Sequence, residues 1–137
     1  MTKENWAICE NLATSLYTHA DLMVDGYKVT LKLQPDGPYR NVIAVYVNGF
    51  IDGKNLVEDR EERRRFYRED RKSLLPPKAP EGVTAKRWAR ARKESMYSIY
   101  YPWWTNFAAL RRHLTKNNSS IELIGKEDNT DGQKEEM

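Results

Sequence analysis

A chain of 137 residues is long enough for one domain with its own core, and its 39% hydrophobic and 11% aromatic content argues against wholesale disorder. The single cysteine, Cys9, excludes an internal disulfide and a zinc site built on thiolates, and no stretch approaches the roughly 18 apolar residues of a membrane helix. The formal net charge is only +3, and no apolar run comes after a basic start as in a signal peptide, so a reducing cytoplasm is the expected location.

Residues 3–17 read as a helix with Thr2 as N-cap. Trp6, Cys9, Ala13 and Leu16 recur at helical spacing, with Leu12 widening the stripe. Asp25-Gly26 marks a turn. Residues 27–34 alternate strictly, with Tyr27, Val29, Leu31 and Leu33 on one side and Lys28, Thr30, Lys32 and Gln34 on the other. That pattern predicts a strand with one wet face. After the Pro35–Pro38 turn, residues 41–48 are apolar on both sides and predict a central strand. Asn48-Gly49 is the pair favoured where both central turn residues need positive φ, so 50–52 is expected to return as a short third strand.

Residues 56–74 read as a charged helix ended by Pro76-Pro77, with Asp59–Arg63 and Glu61–Arg65 at the favourable i,i+4 order. Leu56, Val57, Phe66 and Tyr67 are its apolar residues. Thr84 is expected to cap a basic helix over 85–96, with an alternating strand after it at 97–101. Trp103, Phe107, Leu110 and Leu114 then predict an amphipathic helix over 103–116, ended by Asn117-Asn118 in the left-handed conformation. Residues 120–124 read as a last strand, and 125–137 as an acidic, disordered tail. The order α-β-β-β-α-α-β-α-β predicts one α+β domain over 1–124. It would hold a small mixed or antiparallel sheet of about four or five strands, with helices mainly on one face.

The charge is unevenly spread. Residues 60–116 carry sixteen basic and six acidic side chains, between acidic flanks on either side. Such a block suits an anionic partner, either nucleic acid or an acidic protein face. No phosphate-binding glycine loop, nucleophile elbow or His-Glu-x-x-His zinc motif is present. The residues therefore point to no catalytic group, no cofactor and no metal. Cys9 lies on the apolar stripe of the first helix, where a thiol is inert.

Three features carry the functional expectation. The first is the run Lys86, Arg87, Arg90 and Lys93, whose shared helix side can track phosphates. The second is the segment 97–104, with five rings in eight residues. Two adjacent tryptophans are hard to bury together there, so Tyr100 and Trp104 are the rings expected at the surface, able to stack bases or anchor a partner. The third is Arg64, Arg68, Arg71 and Lys72 on one side of the charged helix, joined by Arg111 and Arg112. Together they predict a non-catalytic protein that contacts nucleic acid, or a nucleic-acid enzyme, through a basic surface flanked by aromatics. The alternative is a small protein-binding regulator or inhibitor of the kind carried by phages and mobile elements. A third reading is an enzyme whose groups meet only in the fold.

Overall fold

The computed structural model describes residues 1–124; the tail 125–137 lies outside the described residues. The fold is α+β. Among the described residues it has a five-stranded sheet in the order β6 (Trp103–Trp104), β3 (Asn41–Val47), β2 (Tyr27–Pro35), β1 (His19–Val24), β7 (Ile121–Leu123), a two-stranded ribbon of β4 (Arg68–Ser73) and β5 (Met96–Tyr101), and five helices. Every pairing in both sheets is antiparallel.

Helix α1 spans Lys3–Ala13, and the Thr2 hydroxyl accepts the Asn5 N–H at 3.0 Å as the expected cap. It stops before residue 17. The Thr14 and Ser15 hydroxyls donate to the Glu10 and Asn11 carbonyls, and Tyr17 turns the chain at φ +69°, leaving Leu16 exposed. The chain then enters a strand that the sequence pattern did not predict: β1, His19–Val24, with Ala20, Leu22 and Val24 buried in alternation. Asp25 and Gly26, at φ +46° and +90°, form the tight turn into β2, Tyr27–Pro35.

Strand β3, Asn41–Val47, is an interior strand with a neighbour on each side, as expected from its apolar residues on both faces. Asn48 and Gly49 have positive φ, and Val47 and Phe50 bridge across them. The expected strand 50–52 does not extend beyond that bridge, and Phe50 is exposed. The place beside β3 is taken by β6, Trp103–Trp104, which pairs Ile43 with Trp104 and Ala44 with Trp103.

The expected helix over 56–74 is instead three elements: α2, Lys54–Val57; α3, Glu61–Phe66; and β4, Arg68–Ser73. Glu58 and Tyr67 adopt extended backbone angles between them. Local charge pairing favours a helix by only about 0.2–0.5 kcal/mol per pair. Six residue pairs with β5, Met96–Tyr101, outweigh it. Helix α4, Ala85–Glu94, carries the expected Thr84 cap. Helix α5, Phe107–Asn117, starts four residues later than predicted because Trp103 and Trp104 are in the sheet, and Asn106 caps it. Asn118 is extended rather than left-handed, and its side-chain amide donates to the Leu114 carbonyl at 3.1 Å. Strand β7, Ile121–Leu123, closes the far edge against β1.

The core lies on one face of the main sheet. Leu22, Val24, Val29, Leu31, Ile43 and Val45 meet Trp6, Cys9 and Ala13 of α1, Phe66 of α3, and Phe107, Leu110 and Leu114 of α5. Each such large side chain contributes roughly 1.5–3 kcal/mol through burial. The opposite face carries Lys28, Thr30, Lys32, Gln34 and Tyr46 together with the buried Val42 and Ala44, and the cluster that includes the helices does not reach it. From Arg68 to Tyr101, no residue is buried. The ribbon, the connector 74–84 and α4 thus form an arm outside the core, which only Tyr100 and its strand rest against.

Candidate functional site

The arm carries nine basic and four acidic residues, so it holds a charge of +5 on a chain whose total is +3. On α4, at about 100° per residue, Lys86, Arg90 and Lys93 fall within a sector of roughly 60°, with Arg87 next to it. All four are exposed, and no carboxylate among the described residues lies within ion-pair distance of them. The opposite side holds α4 to the connector: the Trp88 indole N–H donates to the Pro76 carbonyl at 2.9 Å, and Arg92 Nε donates to the Leu75 carbonyl at 3.3 Å. The position of Trp88 on the helix therefore sets which side is anchored and which four cations are left free.

The arginines of α3 are engaged elsewhere. Arg64, expected as a free cation, pairs with Asp59 at 2.9 Å. Arg65 binds Asp25 at 2.7 Å and Glu61 at 2.6 Å, and Arg60 pairs with Asp52 at 2.9 Å. Asp25 sits below its ordinary carboxyl range because it accepts the Ser119 and Ser120 backbone N–H groups and the Arg65 guanidinium. These charges tie α3 to the β1–β2 turn and to the start of β7. The predicted side of Arg64, Arg68, Arg71 and Lys72 is dissolved: the last three lie on β4, where alternation sends Arg68 and Lys72 to one face and Arg71 to the other.

Arg111 and Arg112 lie on α5 rather than on the arm. Arg111 stacks over the Trp6 ring at 5.0 Å, and both line a shallow pocket with Trp6, Thr115 and Lys116. Arg111 and Arg112 on α5 are thus a separate group from the cations of α4, and Arg64 and Arg65, both paired with carboxylates, belong to α3, which packs against α5.

The aromatic expectation is corrected in phase. Trp104 is 5% exposed; its ring packs in the core and its indole N–H donates to the Phe66 carbonyl at 3.1 Å. Tyr100 is half-buried against the same core, under the Arg63 guanidinium at 3.8 Å. The strand β6 resolves the crowding of two adjacent tryptophans, since neighbouring residues on a strand point to opposite faces. The rings of this segment left outside the core are Tyr97, Tyr101 and Trp103; Tyr101 and Trp103 lie 5.2 Å apart between centroids, with Arg68 over Tyr101 at 4.7 Å. Sequence reasoning missed both; the signal was the register of Trp103 relative to Trp104, which depends on pairing with β3.

Cys9 is buried and its thiol is pushed up to about 12, mainly by loss of solvent, so it is not a nucleophile at neutral pH. The His113 ring is held between the Arg64 carbonyl at 3.0 Å and the Asn117 amide at 3.2 Å, and burial lowers its pKa. No group of three His, Cys, Asp or Glu side chains among the described residues could hold a metal ion, and no helix there is long and apolar enough to cross a membrane. No protein-family model, curated protein or solved structure matches this chain.

Proposed function

We propose that the protein is a non-catalytic nucleic-acid-binding protein whose basic arm neutralises backbone phosphates. The observation that carries this reading is the exposed, unpaired set Lys86, Arg87, Arg90 and Lys93 on a helix that contributes nothing buried to the core. A helix side kept for packing would place apolar residues there; a side kept only for solubility would mix in more carboxylates, and α4 has just Glu94 at its end. Each phosphate met by one of these cations releases condensed counterions, so affinity comes from charge and is greatest at low salt. The test is binding of a labelled oligonucleotide at about 50 mM salt, followed to higher salt. Saturable binding that weakens steeply with salt supports the reading. Absence of binding at the low-salt end overturns it.

A further inference from the structure

The main sheet has one face packed by helices and one that the helical core does not reach, where Val42 and Ala44 are buried and Lys28 and Lys32 are exposed; at the Tyr101–Trp103 contact this open face meets the arm. Register places His19, Lys32, Ala44 and Trp103 in one row across β1, β2, β3 and β6. Asp21, Thr30 and Tyr46 form the next row. Pro102 separates Trp103 from Tyr101, whose ribbon face also bears Arg68, Ile99, Lys72 and Tyr97. The Tyr101–Trp103 contact at 5.2 Å is therefore the seam where the two sheets join. None of Tyr46, Tyr97, Tyr101 or Trp103 belongs to the core, although large rings gain most from burial.

Charge on this surface favours an anion. Lys28 and Lys32 are exposed and have no ion-pair partner among the described residues. Arg68 rests on the Tyr101 ring. Of the acids on the same face, Asp21 is held by the Thr30 hydroxyl at 2.7 Å and by His19 at 3.2 Å, and Asp70 lies 3.9 Å from Lys72. Glu122 is at the far edge, on β7, opposite Met23.

We propose that single-stranded nucleic acid lies across this open face, with unpaired bases stacking on Tyr101 and Trp103 and the backbone following Lys32, Arg68 and Lys72. Only the small Ala44 stands between Lys32 and Trp103 in their row, which sets a cation and a ring two strand spacings apart, roughly 10 Å. A duplex offers phosphates to cations but keeps its bases stacked on one another, so it has nothing to give rings set in a sheet face. A single strand satisfies both. The proposal rests on the nucleic-acid reading above and adds the form of the ligand and its surface.

The experiment compares a labelled oligothymidylate, a labelled duplex and an acidic polyglutamate peptide at about 50 mM salt. It uses the full chain and four variants: Tyr101→Leu, Trp103→Leu, Tyr101→Phe and Trp103→Phe. Circular dichroism and thermal melting confirm that each is folded, and the phenylalanine variants keep a stacking ring should a leucine variant unfold. The expected result is tighter binding of the oligothymidylate than of the duplex. Each leucine change then lowers single-strand affinity by about five- to 150-fold, phenylalanine retains most of it, and duplex affinity does not move. Duplex binding equal to or tighter than single-strand binding, with no effect of the ring variants, overturns this proposal and leaves the electrostatic reading standing. Binding of polyglutamate with neither nucleic acid bound overturns both.

Discussion

Replacing residues 74–95 of the arm by Asn-Gly separates fold from function in one molecule. Ser73 and Met96 are the last opposed pair of the ribbon, so a two-residue turn joins them without shifting register. The replaced segment holds 22 residues, and none is buried. Its side-chain hydrogen bonds are internal to the segment, except those that reach Ser73. Shortening the connection lowers its closure cost by about 2 kcal/mol, against the loss of contacts to Leu75, Val83 and Trp88, which are only half-buried. The net change in stability is therefore within about 2 kcal/mol, or a shift in Tm of less than roughly 10 °C. The same replacement removes six cations and two carboxylates and turns the formal charge from +3 to −1. Four of those cations are the unpaired set on α4. If each meets one phosphate of a single strand, the slope of log K against log salt shrinks by about 2.8. The ratio of affinities at 50 and 200 mM salt then contracts about 50-fold. Melting followed by circular dichroism and a salt titration of oligonucleotide binding read the two halves. An undiminished salt slope would show that α4 and the connector carry no phosphate contact. Collapse of the cooperative transition would show that it belongs to the core.

The same geometry fixes three further outcomes. Trp104→Ala lowers stability by about 3–5 kcal/mol in urea unfolding, since it empties a buried ring site and strands the Phe66 carbonyl, whereas Trp103→Ala costs clearly less; equal losses would contradict the inward and outward assignment. Burial holds the His113 pKa below the ordinary 6.5. The unfolded chain therefore binds the proton first. The stability contribution is complete above about pH 6.5 and is lost as pH falls through the folded value. The urea midpoint should drop further between pH 7.5 and pH 5 than that of His113→Gln, and identical pH slopes would refute this. Cys9 stays unreactive toward an aromatic disulfide reagent at neutral pH and reacts stoichiometrically in denaturant; rapid labelling of the folded chain would contradict its burial and raised pKa.

Local rules are enough where a segment's own pattern decides its structure. The Thr2 and Thr84 caps, the alternation of 27–34, the positive-φ pair Asn48-Gly49 and the basic face of α4 all depend on residues within a few positions of one another. Strand β1 carries a legible signal too, since Ala20, Leu22 and Val24 alternate into Asp25-Gly26. Its short apolar set adjoins a helical stripe, however, and periodicity over so few residues does not separate the two. The fate of 68–73 is not legible. Arg68-Glu69-Asp70-Arg71-Lys72 has no apolar alternation to mark a strand and forms one where Tyr97–Tyr101 offers it a ladder.

By itself, the amino-acid order determined the α+β class, the central β2–β3 pair, the two capped helices and the excess of positive charge in the middle of the chain. Only the tertiary structure decided which charges are free and which rings face water. Arg65 is neutralised by Asp25 across the fold, and Trp103 and Trp104 are sorted by pairing with β3. The reason is physical: a helix cap or tight turn is satisfied by atoms a few residues apart. Exposure and ion pairing depend on partners that chain collapse brings together from distant positions, and no local pattern encodes that distance.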